Sequence, residues 1–444
     1  VIFFAIFGQW LLGVAIFYFE QKNLFSMTKP LPLLVVAALI AFGEATAQDD
    51  TALLKKAKKI HEKAFTLDTH ADTPMLLSRA DFDLTKDNDA RTTNSKVDFP
   101  RMKRGGLDAI FWAVYLGQGP RNPEAHENAK KRALAIFEDI NKSLQKNSAW
   151  AELATTPEDG YRINKTGKRV IFLGVENGYP MGHDLGMLQK FYDLGARYMT
   201  LCHSANNDIC DSSTDPKGAE YQGLSPLGEQ VVKEMNRLGM MIDVSHVSDS
   251  TFYDIIRLSK VPIIASHSGA KAICNHPRNL TDDMLKALAK NGGVLQLNLL
   301  SDYVKTIPPS PEREAAINAL LQKYGLKDRR SAGSLSEDDQ KKFRADFMEL
   351  AKKYPAQLAT VKDAIDHIDH IVKLIGIDHV GMGADFDGGG ALADCFDVSQ
   401  YENVTIELVR RGYSKKDIEK IWSGNFFRVM KAVDKGKTIG MSMK

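Results

Sequence analysis

Two Ser-His dipeptides stand at matching places in the chain. Ser245-His246 closes the apolar run Met240–Val244, and Ser266-His267 closes the run Val261–Ala265. Between them Asp249–Lys260 has helical periodicity, with Ser248 or Asp249 placed to cap it. Parallel strands joined by a helix point the same way, so both imidazoles should emerge on one rim. Imidazole there can bind a metal ion or carry a proton. A lone strand-end histidine is more often an ordinary hydrogen-bonded residue. Two in consecutive units shift the balance, and the other strand tips decide it.

Those tips form a coherent set. Leu67-Asp68-Thr69-His70-Ala71-Asp72 ends one run, and residues two apart on a strand face the same side, so His70 and Asp72 can clasp one ion. Val170–Glu176 ends in a carboxylate whose plain alternative role is a salt bridge. Another run ends in Cys202-His203, and Gly383-Ala384-Asp385-Phe386-Asp387-Gly388 puts Asp385 at a last tip, with glycines that permit close backbone approach. Nitrogen and oxygen donors without thiolate suit zinc, ahead of manganese, iron or cobalt. The donors are too many for one ion. Two ions about 3.5–4 Å apart, bridged by a carboxylate, would use them. His70 and Asp72 are assigned to one ion, His246 and His267 to the other, and Glu176 to the bridge. Asp385 is left over as a proton carrier.

These residues need a scaffold that collects strand ends. Strand-like runs recur at Phe65–His70, Leu107–Leu116, Arg169–Glu176, Arg197–His203, Met240–His246, Val261–His267, Gly293–Leu299 and His379–Asp385. Amphipathic segments such as Glu124–Leu144, Pro226–Leu238 and Thr281–Lys290 separate them, after an opening helix at Thr51–Ala64. The alternation predicts an α/β fold with a parallel sheet closed as a (β/α)8 TIM barrel. Ser301–Gly376 is too long for one crossover. It holds the turn Ile307-Pro308-Pro309-Ser310-Pro311 and charged helical stretches, and reads as a helical insertion between strands seven and eight, ending in Thr360–Leu374. Asn403–Ala432 reads as two closing helices, with Ser414 capping the second.

The 444 residues are 44% hydrophobic and 26% charged, with a formal net charge of +2, so no basic stripe points to nucleic acid. Residues 1–47 are set apart from a single domain over 48–444. Val1–Phe19 is almost wholly apolar. From Met27 a second pattern begins: Lys29, the apolar stretch Leu31–Phe42, and Ala45-Thr46-Ala47 before Gln48, a secretory signal with its cleavage site. The expectation is an exported protein, periplasmic or secreted, starting at Met27; a membrane anchor at Val1–Phe19 is the alternative. Cys202, Cys210, Cys274 and Cys395 include no Cys-x-x-Cys pair, and are expected to be structural.

Thr66–Pro74 (TLDTHADTP), Gly174–Gly178 (GVENG), Arg197–Asn206 (RYMTLCHSAN), Gly223–Ser248 (GLSPLGEQVVKEMNRLGMMIDVSHVS), His267–Asn279 (HSGAKAICNHPRN) and Gly381–Gly388 (GMGADFDG) together resemble the renal, or membrane, dipeptidase family of zinc peptidases, in the family's order from about Phe65 to Val429. The resemblance implies a metal-dependent hydrolase barrel with two Zn²⁺ ions on His70, Asp72, Glu176, His246 and His267. It implies that His203 contacts the scissile carbonyl, that Arg278 and Tyr303 bind the substrate's free C-terminal carboxylate, and that Asp385 is the acid/base. It further implies a dipeptide substrate with tolerance of a D-residue at the C-terminal position; a homodimer is compatible with it. Ser204-Ala205-Asn206-Asn207 departs from the animal members, so their disulfides do not transfer. The rival reading is a related barrel amidohydrolase, a deacetylase or lactonase. Many of those bridge their metals through a modified lysine on the fourth strand, which here ends in His203. A non-catalytic binding protein would be expected to have lost a donor.

Overall fold

The computed structural model describes residues 50–437, apart from 80, 81, 94, 329, 330, 333 and 334. Among the described residues, those from Lys56 onward form one compact unit. The signal and anchor expectations fall outside the described residues. Among the described residues, no helix is long and apolar enough to cross a membrane.

Within this unit, strands β1 (Leu67–Ala71), β2 (Ala109–Tyr115), β3 (Ala151–Leu153), β4 (Arg169–Glu176), β5 (Ala196–Thr200), β6 (Met241–Asp243), β7 (Ile264–Ser268), β8 (Val294–Leu297) and β9 (Val380–Met382) form one parallel sheet. Its order is β1-β2-β4-β5-β6-β7-β8-β9, with β3 beside β4. The eight strands on the main path are those expected, and they wrap into a (β/α)8 TIM barrel. β3 was not foreseen. β5 joins β4 only from Leu173 onward, so β3 pairs with Arg169–Ile171 and satisfies backbone groups otherwise left on an open edge.

The ring closes beyond the end of β9. Asp385 N donates to His70 O (3.1 Å) and Asp72 N to Phe386 O (2.9 Å). From inside, Asp68 Oδ1 accepts from Ala384 N at 3.0 Å and Thr69 Oγ1 donates to Met382 O at 3.2 Å. The last barrel segment is therefore stitched to the first at the tips that carry the polar residues.

Helices cover the outside. Pro123–Lys146, Pro157–Asn164, Pro226–Leu238, Asp249–Leu258, Asp282–Asn291 and Val361–Ile375 each begin at an Asn, Ser or Thr whose side chain accepts a first-turn backbone N–H. Each such cap contributes about 1 kcal/mol and fixes where its helix starts. Val361–Ile375 buries Ile365, Ile368 and Ile371 and packs on β8 and β9, so it is a member of the outer ring. The helices Pro311–Lys323 and Glu337–Lys353 lie before it and pack on each other. The C-terminal segment is three pieces: Glu402–Arg410, Lys415–Glu419 with Ser414 in a capping box, and Asn425–Gly436 after a π turn.

The floor of the barrel, where the strands begin, is apolar. Leu67, Ala109, Val170, Met241, Ile264 and Val294 meet Phe426, Phe427, Val429, Met430 and Val433 of the last helix in one buried cluster. Phe111 stacks on Phe172 (4.8 Å between centroids) and meets Phe426 edge-on (5.2 Å). All four cysteines are buried and unbridged.

Candidate metal centre

His70 lies in β1 with no exposed surface, and Asp72 follows it at the seam. His70 Nε2 is 3.7 Å from Asp72 Oδ2 and 3.4 Å from Glu176 Oε2. Glu176, at the tip of β4, turns its other oxygen the opposite way. Oε1 lies 3.1 Å from His246 Nε2, 3.5 Å from His267 Nε2 and 3.8 Å from His203 Nε2. One buried carboxylate thus faces two groups of donors.

The backbone that delivers the two Ser-His pairs is organised by Asp243, the last residue of β6. Its Oδ1 accepts from Ser245 N (3.0 Å) and Ser266 N (2.8 Å), and its Oδ2 from Ser266 Oγ (2.6 Å) and Thr200 Oγ1. Ser245 Oγ in turn accepts from His267 N at 3.0 Å. β6 stops at Asp243 because that side chain replaces the ladder. His246 then takes a left-handed φ of 73°, and Asp385 one of 63°. Such conformations are uncommon for residues with a Cβ and persist where the surroundings over-determine them.

Hydrogen bonds at Nδ1 set two of the rings. Tyr198 OH donates to Thr69 O (3.1 Å) and so accepts from His70 Nδ1 (2.9 Å). Ser266 Oγ donates to Asp243 and so accepts from His267 Nδ1 (2.8 Å). In both rings the Nε2 lone pair then points into the site, the tautomer a metal ion requires. Gly174 makes the first arrangement possible, since a Cβ there would collide with the Tyr198 ring.

Burial dominates the electrostatics. Burial, with the neighbouring Arg278 charge, holds His246 well below its usual pKa, and burial with the His70 charge does the same for His267. Burial also lowers His203. His70 is the exception: burial opposes its charge, but Tyr198 and Glu176 hold it well above the usual value. Burial would raise Glu176, yet His70 and His246 hold it well below the carboxylate range. Asp72 is raised to about 6 by burial and the Glu176 charge. Asp385 is raised to about 8 by burial and then by Asp72 and Glu176, against the pull of His70.

These residues suit a cation. His70 Nε2 and Asp72 Oδ1 are buried without a hydrogen-bond partner. His246 Nε2 and His267 Nε2 face each other at 2.9 Å, a contact in which at most one nitrogen can donate. The candidate donor groups are His70, Glu176 and His267; Glu176, His203 and His246; and His70, Asp72 and Asp385. Three buried carboxyl groups crowded beside His203, His246 and His267, which burial keeps from charging, are stable together when positive charge sits among them. Gly388 lets Asp72 and Asp385 converge, because a Cβ at that position would strike both carboxylates.

A cleft of about 570 Å³ opens above, lined by Glu176, His203, His246, Arg278, Tyr303 and Asp385 among others. Arg278 is 3% exposed; Nη2 donates to His267 O (3.1 Å), while Nε is buried with no hydrogen-bond partner. The Tyr303 ring lies 5.6 Å from that guanidinium. Asn298 Nδ2 donates to Asp385 Oδ2 at 3.2 Å. All nine site residues singled out in the sequence therefore meet at one mouth. The sequence reading missed Tyr198, Asp243, Asn298 and Tyr115, whose hydroxyl is 3.4 Å from His203 Nδ1. Asp243 carried a signal, an acid inside the apolar run Met240–Val244. Asp68 in the first run is its counterpart, accepting from His70 N at 3.0 Å.

A model of the membrane dipeptidase family (peptidase family M19) matches residues 54–439. Dipeptidase tcpJ of Claviceps purpurea (strain 20.1) is 30% identical over 375 residues, spanning 83% of this chain and 76% of that protein. The probable dipeptidase PvdM from Pseudomonas aeruginosa superposes with a TM-score of 0.74 at 29% identity, covering 87% of this chain and 99% of that one. A metallo peptidase from Rhodobacter sphaeroides, liganded with a phosphinate mimic of the dipeptide L-Ala-D-Ala, gives 0.65 at 23% identity over 83% of this chain and 99% of that one, a likeness of fold. The chain belongs to the membrane dipeptidase family and is a metallo-dipeptidase, a hydrolase of peptide bonds.

Proposed function

We propose that this member of the membrane dipeptidase family uses two zinc ions to hydrolyse dipeptides with a free C-terminal carboxylate. The observation that carries the reading is the division of Glu176, Oε2 toward His70 and Oε1 toward His246 and His267. His70 and Asp72 would hold one ion, His246 and His267 the other, with Glu176 between them. When bound, such a pair supplies Lewis acidity and a nucleophilic water whose pKa falls toward ~7.

The chain's own residues do the rest. Arg278 presents a planar fork whose buried Nε lacks a partner, a match for the substrate α-carboxylate, with Tyr303 on the same wall. That anchor fixes the scissile carbonyl one residue away, near His203, whose ring donates to the developing oxyanion. Asp385, held by Asn298 and facing Asp72, takes the proton of the nucleophile and returns it to the leaving amine. Tolerance of a C-terminal D-residue is part of the proposal, supported by the mimic bound to the Rhodobacter sphaeroides neighbour. Export as a single domain over 48–444 is supported by the pattern Met27–Gln48.

Turnover of L-Ala-L-Ala, L-Ala-D-Ala and the C-terminally amidated L-Ala-L-Ala, with zinc counted before and after chelation, tests this. The expected result is two zincs per chain at the mouth, over and above any ion held elsewhere on the surface, activity lost on chelation, and turnover of the amide at least ~100-fold slower. One zinc would remove the bridge, and equal turnover of the amide would remove Arg278 from the pocket.

A further inference from the structure

We infer that a separate cation site lies on the outer surface, where His126, His183 and Asp208 hold one divalent ion of the zinc type. The three come from different segments: the start of Pro123–Lys146, the loop after the 3-10 turn Tyr179–Met181, and the connection that follows β5. Asp208 directs Oδ2 to His126 Nε2 at 3.0 Å and Oδ1 to His183 Nε2 at 3.6 Å. One donor atom from each residue lies within 4.8 Å of the others. Donors around a tetrahedral zinc, at bonds of about 2.0–2.1 Å, are about 3.3 Å apart, so each imidazole already stands near that separation from one of the two Asp208 oxygens.

A histidine–aspartate pair on a surface is ordinary. Here a second imidazole faces the other carboxylate oxygen, and His126 Nε2 is buried and, although Asp208 Oδ2 stands 3.0 Å away, makes no aligned hydrogen bond. The His126 ring is held edge-on by Tyr179 (5.4 Å) and beside the His183 ring (5.7 Å). Gly182, at φ 53°, lets the loop come this close: a Cβ there would sit 3.1 Å from His126 Cβ. Asp208 is fixed by its backbone carbonyl, which accepts from Ser225 Oγ. The nearby cation Lys130 is engaged by Glu127 (3.4 Å) and Asp184 (3.5 Å). The His183 side chain is 70% exposed, which leaves the fourth position open to water.

None of the three residues lines the catalytic cleft. Their segments, however, continue from the strands that end in Glu176 and lead to His203. An ion there staples the two connections behind the mouth to an outer helix.

The zinc-loaded protein, dialysed against micromolar Zn²⁺, provides the test, with His183→Ala as the first variant because the side chain is exposed and its loss leaves packing intact. Wild type should retain one more zinc than His183→Ala, and the dissociation constant of that zinc should rise at least ~100-fold in the variant. Asp208→Asn should behave alike. The thermal midpoint should climb more steeply with added Zn²⁺ in wild type than in either variant. Repeating the count on a His246→Ala background separates this ion from those at the mouth. Equal zinc content in wild type and His183→Ala, on both backgrounds, overturns the inference.

Discussion

At the end of the barrel where the strands begin, Phe111, Phe172, Phe426 and Val433 pack in one buried hydrophobic cluster. At the end where the strands finish, Asp72, Glu176 and Asp385 crowd together with His70, His203, His246 and His267. The floor gains from burial, at about 25 cal/mol for each Å² of apolar surface removed from water. The mouth pays in desolvated charge and in the left-handed backbone of His246 and Asp385. Stability and chemistry are therefore carried by different layers of the same strands. Tyr198 belongs to both, its ring packed among the floor aromatics and its hydroxyl on His70.

If that division is right, mutations should separate by layer. Asp385→Asn should lower kcat by about 10²–10⁴-fold while zinc content and melting temperature hold; equal loss of zinc would make Asp385 a ligand. Phe426→Ala should cost about 3–5 kcal/mol of unfolding free energy, with kcat per folded molecule unchanged, as denaturant titration and active-site counting would show. Tyr198→Phe should fall between the layers. It should weaken zinc binding about 10–100-fold through His70 and lose only about 1 kcal/mol of stability, and an effect on stability alone would cut the link.

The smallest effect comes from histidines away from the mouth. Burial lowers His61 and His367 below the ordinary 6.5, so each is neutral when folded. The unfolded chain binds more protons as pH falls below 6.5, so the stability they contribute is complete above that value and lost beneath it. His61→Gln should flatten the fall in urea midpoint between about pH 6.5 and 5. An unchanged slope would show that His61 is charged in the fold.

The sequence was most legible where the barrel is simplest. Strands buried on both faces read as apolar runs, and a polar residue ending such a run stands out, as His70, Glu176 and His267 do. What lay inside the strands was harder. Tyr198 looks like any core aromatic until a bare Gly174 on the neighbouring strand lets its hydroxyl through. Asp243 shortens β6 by taking over backbone hydrogen bonds, which no apolar count can anticipate. β3 escaped notice because three residues carry no periodicity, and its reason to exist is the offset between β4 and β5. The helix Val361–Ile375 was legible as amphipathic; its place against β8 and β9 depended on contacts far away in the chain.

The seam between β9 and β1 has a consequence for how the molecule comes into being on the ribosome. Asp385 and His70 touch through their main chains, yet one is synthesised near the start of the barrel and the other near its end. While the nascent polypeptide lacks its ninth strand, His70 and Asp72 have no wall to close against. Competence to cut a peptide bond is thus withheld from every unfinished copy, and an enzyme destined to cleave short peptides is born inert.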